Sequence, residues 1–169
     1  RDDDNIWLIT AAVAQWHDRD VLLQGLPDGL VVTDRSDKYE CLLITGPKAR
    51  EILAPLTDAD LSLPWLSAQE TKVCGKDVVL LRVSFAGELG WEVHCLTDDA
   101  PEIWDAVTGA GAKPFGMFAL DSLRVEKVYR AWKGDLSTDY TLLEGGLDRF
   151  IDWDKDFPGK AALQAQKQA

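Results

Sequence analysis

The sequence predicts an α+β fold, with antiparallel sheets and helices on one face, and three observations carry that expectation. Val78 to Val83 is an almost unbroken apolar run, and Trp91-Glu92-Val93-His94-Cys95-Leu96 alternates in residue type. Gly87 and Gly90 lie between them, so the two runs read as neighbouring strands joined by a turn. Asp98-Asp99-Ala100-Pro101 then opens a segment whose Ile103, Trp104 and Val107 fall on one helical face. A strand meander and a helix with a single apolar stripe bury that surface by packing together.

The elements follow in chain order. Ile6 to Val13 reads as a buried strand and Trp16 to Leu23 as a short helix. Leu30 to Thr33 and Tyr39 to Thr45 read as strands separated by the polar turn Asp34 to Lys38. Gly46-Pro47 opens a helix to about Leu53, with proline in the first turn, where its missing N–H is harmless. Thr57 to Ala68 reads as a loop. Thr71 to Cys74, Val78 to Phe85 and Gly90 to Leu96 then suit an antiparallel meander, turning at Gly75-Lys76-Asp77 and at Gly87 to Gly90.

The next helix has an acid at its N-cap and Pro101 just inside, and it ends at Gly109-Ala110-Gly111-Ala112-Lys113. That ending lacks the Lys-Ser/Thr pair of a phosphate loop, so it is a helix stop. A last helix is expected from about Ala119 to Tyr129, with Leu120, Leu123 and Val128 along one side and Asp121, Arg124 and Lys127 facing outward. The repeated pattern of strands under a helix suggests ferredoxin-like units.

The chain has 169 residues, 46% hydrophobic and 28% charged, enough for a soluble domain with a substantial core. No apolar run reaches the roughly 20 residues of a membrane span, and Arg1-Asp2-Asp3-Asp4 carries neither a signal-peptide core nor a basic amphipathic pattern. A cytoplasmic location is the expectation, or the mitochondrial matrix for a eukaryotic parent. The net charge of -11 argues against a nucleic-acid surface, which needs clustered Lys and Arg. Neither nucleic acid nor membrane is expected as a partner. Cys41, Cys74 and Cys95 are odd in number and form no CxxC pair, so they read as small buried apolar residues. His17 and His94 stand apart from any ligand-like spacing and read as structural or surface residues. No metal is expected.

Glu92 is the residue that stands out. A carboxylate inside a strand with such apolar neighbours either faces solvent or is held for a ligand, because an unpaired buried charge is costly.

Gly87-Glu88-Leu89-Gly90-Trp91-Glu92, followed by Ala119-Leu120-Asp121-Ser122-Leu123-Arg124-Val125-Glu126-Lys127, resembles the folate-binding region of the glycine cleavage T-protein (aminomethyltransferase) family. The version fused to flavin-dependent dimethylglycine and sarcosine dehydrogenases is the most similar. Supporting pieces lie in order: Leu43 to Leu53 (LITGPKAREIL), Thr141 to Leu147 (TLLEGGL) and Phe157 to Leu163 (FPGKAAL).

The resemblance implies two ferredoxin-like units binding tetrahydrofolate between them, and one-carbon transfer to it from a glycine or N-methylglycine donor. By motif position Glu92 matches the residue that holds the pteridine edge, where a carboxylate can accept from the 2-amino group and a ring N–H together. Tyr129 matches a tyrosine lying against the folate rings. Phe85 stands where T-proteins carry tyrosine, and Leu120 where they often carry arginine, a departure that suits the dehydrogenase branch. Glu88 is given a turn role, Asp121 a capping role, and Arg124 an ion pair with Glu88 or Glu144.

The family's catalytic aspartate precedes the segment matching Asn5-Ile6-Trp7-Leu8, so it is expected upstream of Arg1, and no catalytic residue is assigned within the chain. Asp2, Asp3 and Asp4 read as a solvated turn. Residues 1–169 are therefore expected to be a partial folate-binding region internal to a larger enzyme, inactive alone, with any flavin in the parent. Its partners would be folate and the parent's other domains, and bared apolar faces would favour self-association. The alternative is a folate-fold scaffold or binding module without catalysis.

Overall fold

The alternation of residue types along Gly90–Leu96 does produce a strand, β4, and this strand organises the sheet. A computed structural model describes residues 5–168; Asp2, Asp3 and Asp4 lie outside the described residues. The chain divides into two units, Arg19–Tyr129 and, separately, the residues up to Asp18 with those from Arg130 onward. Helix α1, Gln15–Gln24, begins in one and ends in the other.

Arg19–Tyr129 contains β1 (Tyr39–Thr45), β2 (Ala68–Val73), β3 (Lys76–Leu81) and β4 in the order β1-β4-β3-β2, with every neighbouring pair antiparallel. The expected α+β architecture is met. Helices α2 (Ala49–Leu53) and α3 (Ala100–Gly109) both pack on one face of the sheet.

Register decides the faces. Leu42 and Ile44 stand opposite Val93 and Trp91, and Val78 and Leu80 stand opposite Cys95 and Val93. These side chains share a core with Leu53 of α2 and with Ile103 and Val107 of α3. Leu53, Val93 and Ile103 are fully buried, and each such side chain stabilises the fold by about 1.5–3 kcal/mol relative to exposure. Because strand side chains alternate, the opposite face receives Cys41, Leu43, Val79, Leu81, Glu92 and His94.

The β2–β3 hairpin turns on Cys74 and Gly75, both at positive φ (53° and 78°), as a two-residue loop matching strand twist requires. β3 is shorter than the apolar run suggested. From Arg82 the chain leaves the β4 ladder: the Arg82 guanidinium lies 4.8 Å from the Trp91 ring centre and donates to the Gly90 carbonyl at 3.2 Å. This departure frees Ser84 to Leu89 to form the turn.

The acid at the start of α3 does not cap it with its side chain. Asp99 pairs instead with Lys76 at 3.3 Å, and Glu102 reaches the same ammonium at 2.9 Å. Helix α4 spans Met117–Glu126 and ends in a reverse turn in which Val128 N–H bonds Val125 O and Tyr129 N–H bonds Arg124 O. That ending places one residue in the left-handed region and favours glycine there; here it is Val128, at φ 60°.

The other unit is held mainly by turns. It contains 3-10 turns at Ala12–Ala14 and Asp148–Phe150 and helix α5, Lys160–Gln168. Thr141 and Glu144 bond reciprocally: the Thr141 N–H donates to the Glu144 carboxylate, and the Glu144 N–H to the Thr141 hydroxyl.

Two expected strands do not form. Ile6 to Val13 and Leu30 to Thr33 join no sheet, whose edges are β1 and β2. Ile6 is 76% and Val31 85% exposed. An apolar extended segment becomes a strand only when an edge accepts its backbone groups.

Candidate functional site

The face of the sheet opposite α2 and α3 carries the polar groups. Glu92 and His94 lie two residues apart on β4 and so point the same way. Their side chains are 23% and 10% exposed, and His94 Nε2 is 3.1 Å from Glu92 Oε2. An ionised carboxylate can only accept, so the imidazole N–H donates. A carboxylate has roughly four lone-pair positions, so Glu92 retains acceptor capacity for a second donor pair. Leu43 and Leu81 flank it on the neighbouring strands.

Cys41 stands directly across from His94 on β1. Burial of its thiol, with the nearby charge of Glu92 adding, pushes its pKa up to about 12, so the thiol keeps its proton at neutral pH. The residue as a whole is exposed, its backbone being on the edge strand.

The second group of expected site residues meets at the end of α4. The rings of Phe85 and Tyr129 stack, with centroids 6.4 Å apart and planes inclined by 14°. Phe85 comes from the turn after β3, where Gly87 has φ 75°. A Cβ on Gly87 would collide with the Lys127 side chain, so only glycine lets the turn approach the end of α4 this closely.

Arg124 holds the other ring's backbone. It is 6% exposed, contrary to the outward position expected from helical spacing. Its guanidinium donates to Asp121 Oδ1 at 2.6 and 2.5 Å and to the Tyr129 carbonyl at 2.8 Å. The expectation named Glu88 or Glu144, and the carboxylate seen against it is Asp121, because one helical turn brings residues three apart together. Asp121 itself is well inside α4, whose N-cap is Gly116, so it pairs rather than caps.

Leu120 is half-buried on α4 and brings no polar group. It takes part neither in the ring stack nor in the Glu92–His94 bond. The structure thus pairs Phe85 with Tyr129 and sets Glu92 beside His94 on the sheet face opposite α2 and α3. A shallow depression lined by Leu143, Glu144, Asp148, Gln166 and Lys167 lies in the other unit and holds none of these residues.

Comparison with known proteins decides the family, since the GCVT N-terminal domain matches residues 1–155. The chain belongs to the GCVT N-terminal domain family. It is 35% identical to the mitochondrial dimethylglycine dehydrogenase of Rattus norvegicus over 95% of its own length and 20% of that protein. It is 34% identical to the aminomethyltransferase of Listeria welshimeri over 96% of its length and 46% of that protein. The chain therefore spans about a fifth of the first relatives and less than half of the second. Among solved structures it is similar to a chain of the heterotetrameric sarcosine oxidase from Corynebacterium sp. U-96 in complex with pyrrole 2-carboxylate. That match has 24% identity and a TM-score of 0.47, over 57% of this chain and 52% of the other.

Within this GCVT N-terminal domain, Cys41 and His94 are neighbours that the sequence did not bring together. They read as an apolar cysteine and an isolated histidine, and only the β1–β4 register sets them side by side. The signal lay in pairing the alternation of β4 with that of β1. Among the described residues no helix is long and apolar enough to cross a membrane.

Proposed function

We propose that this GCVT N-terminal domain binds tetrahydrofolate and serves one-carbon transfer to it from a glycine or N-methylglycine donor, as one part of a longer enzyme. The observation that carries the reading is Glu92, a carboxylate with spare acceptor capacity held half-buried between Leu43 and Leu81. An acceptor in such surroundings suits the paired N–H edge of a pteridine, because each charge-assisted bond is stronger where water is scarce. The stacked Phe85 and Tyr129 supply flat apolar surface of the kind a heterocycle stacks on. Arg124 acts through Tyr129 by fixing its backbone.

The names of the relatives support the donor class: several are dimethylglycine dehydrogenases and several are aminomethyltransferases. Leu120 in place of an arginine favours the dehydrogenase branch. The partial coverage of those relatives supports a chain that works beside further domains, with any flavin housed there. Self-association through bared apolar surface fits the same reading, since Phe118 is 94% and Met117 76% exposed.

The test is anaerobic titration with 5-formyltetrahydrofolate, followed by tryptophan fluorescence and calorimetry, with Glu92→Gln as the control. Saturable binding that the variant loses supports the folate reading. Equal binding by both proteins would remove Glu92 from the site, and binding by neither would favour a scaffold without folate chemistry.

A further inference from the structure

We propose that Cys41, Glu92 and His94 form a binding site for a zinc-class divalent cation. The β1–β4 register brings a sulfur, an imidazole nitrogen and a carboxylate oxygen onto one sheet face, all within 4.8 Å of one another. Glu92 and His94 are two residues apart on one strand, and Cys41 faces His94 across the ladder. Three donors of three chemical kinds thus converge from backbone positions that hydrogen bonding already holds.

The donor set selects the ion. Hard cations such as Mg²⁺ and Ca²⁺ prefer oxygen alone, whereas zinc and cobalt accept thiolate, imidazole and carboxylate together. Bonds of about 2.0–2.3 Å in tetrahedral geometry place the donors roughly 3.5 Å apart. The Glu92–His94 pair is already at 3.1 Å, and Cys41 closes the remainder by side-chain rotation. Three protein ligands leave one position open, the arrangement of a site that exchanges its fourth ligand. Cys41 lies on the exposed edge strand, which gives the ion access, while the half-buried Leu43, Val79 and Leu81 limit competition from water.

The balance is simple. The Cys41 thiol gives its proton to solvent as the sulfur–metal bond forms, and the Glu92 carboxylate coordinates in its ionised form. The imidazole coordinates through a nitrogen lone pair and carries its single proton on the other ring nitrogen. Nothing is oxidised or reduced. A consequence, which rests on the folate reading of Glu92, is that the ion and folate compete for the same carboxylate.

Cobalt is the probe. The reduced chain titrated with CoCl₂ should develop a thiolate-to-cobalt charge-transfer absorption in the near ultraviolet that saturates at a single equivalent and is displaced by ZnCl₂. Cys41→Ser, at an exposed position, should keep the fold by circular dichroism and lose the absorption; His94→Gln should lose it as well. Absence of the band in the parent chain, or its persistence in Cys41→Ser, overturns the site.

Repeating the 5-formyltetrahydrofolate titration with and without zinc separates the two readings. Weaker folate binding in zinc, relieved by Cys41→Ser, supports both. A Cys41-dependent cobalt band with folate binding indifferent to zinc supports the metal site and sinks the folate role of Glu92. No band, with folate binding still lost in Glu92→Gln, overturns the metal site and leaves the folate reading standing.

Discussion

Alternate side chains of β4 live in different surroundings. Trp91, Val93 and Cys95 are at most 1% exposed and pack in the core shared with α2 and α3. Glu92 and His94, set between them in sequence, turn to the opposite face beside Cys41. One strand therefore presents two different surfaces. The apolar face supplies the cohesion, and the other carries the bonded Glu92–His94 pair. Substitutions on the first face should register as stability and on the second as ligand binding.

Trp91→Ala is the strongest challenge to that division. Removing a fully buried indole should cost about 3–5 kcal/mol, and it also strips Arg82 and Arg50 of the ring they lie over, at 4.8 and 5.8 Å. Urea unfolding reads the loss. A change below about 0.5 kcal/mol, within the range of surface substitutions, would mean that this face is not the principal core.

Glu92→Gln should do the reverse. Folate binding should weaken by about 1.5–3 kcal/mol, the worth of a charge-assisted bond, while the urea midpoint stays close to the parent's. A large stability loss with folate binding unchanged would show that Glu92 belongs to the fold through His94.

Val128→Gly probes the end of α4, next to Tyr129. A β-branched residue in the left-handed region costs roughly 1–2 kcal/mol, and glycine gives back about 0.5–1 kcal/mol of that through its greater freedom when unfolded. A net gain of about 0.5–1 kcal/mol is expected, read as a higher melting temperature. Destabilisation would show that Val128 is held by packing its φ value does not reveal.

The smallest effect lies outside the sheet. The Thr141 N–H, and then its hydroxyl, hold the Glu144 carboxyl below its ordinary pKa of 4.5. Folding therefore favours the ionised form. Its contribution is fully present above the ordinary glutamate value and is lost as pH falls through the lowered folded value. A carbon-detected NMR titration should show the depressed value, and Thr141→Ala should raise it towards normal without altering either face of β4.

Much of this was legible in advance. β1 and β4 have the bounds that alternation suggested, and α3 buries Ile103 and Val107 of its expected apolar face, while Trp104, expected there too, is 47% exposed. Arg124 was misplaced because helical spacing says which residues share a side, not which side is covered. Ile6 to Val13 was misread because a strand needs a neighbour, and an apolar run does not say whether an edge is available.

Local periodicity was enough for β1, β4 and α3, since alternation and helical spacing are properties of consecutive residues. The GCVT motif from Gly87 to Glu92 likewise marks its glutamate within a short stretch. The meeting of Cys41 with His94 and Glu92 belongs to another class: it depends on the register between strands far apart in the chain. That register settles only when Leu42, Ile44, Trp91 and Val93 pack into one core, because a slip by one residue would turn every one of them to the opposite face.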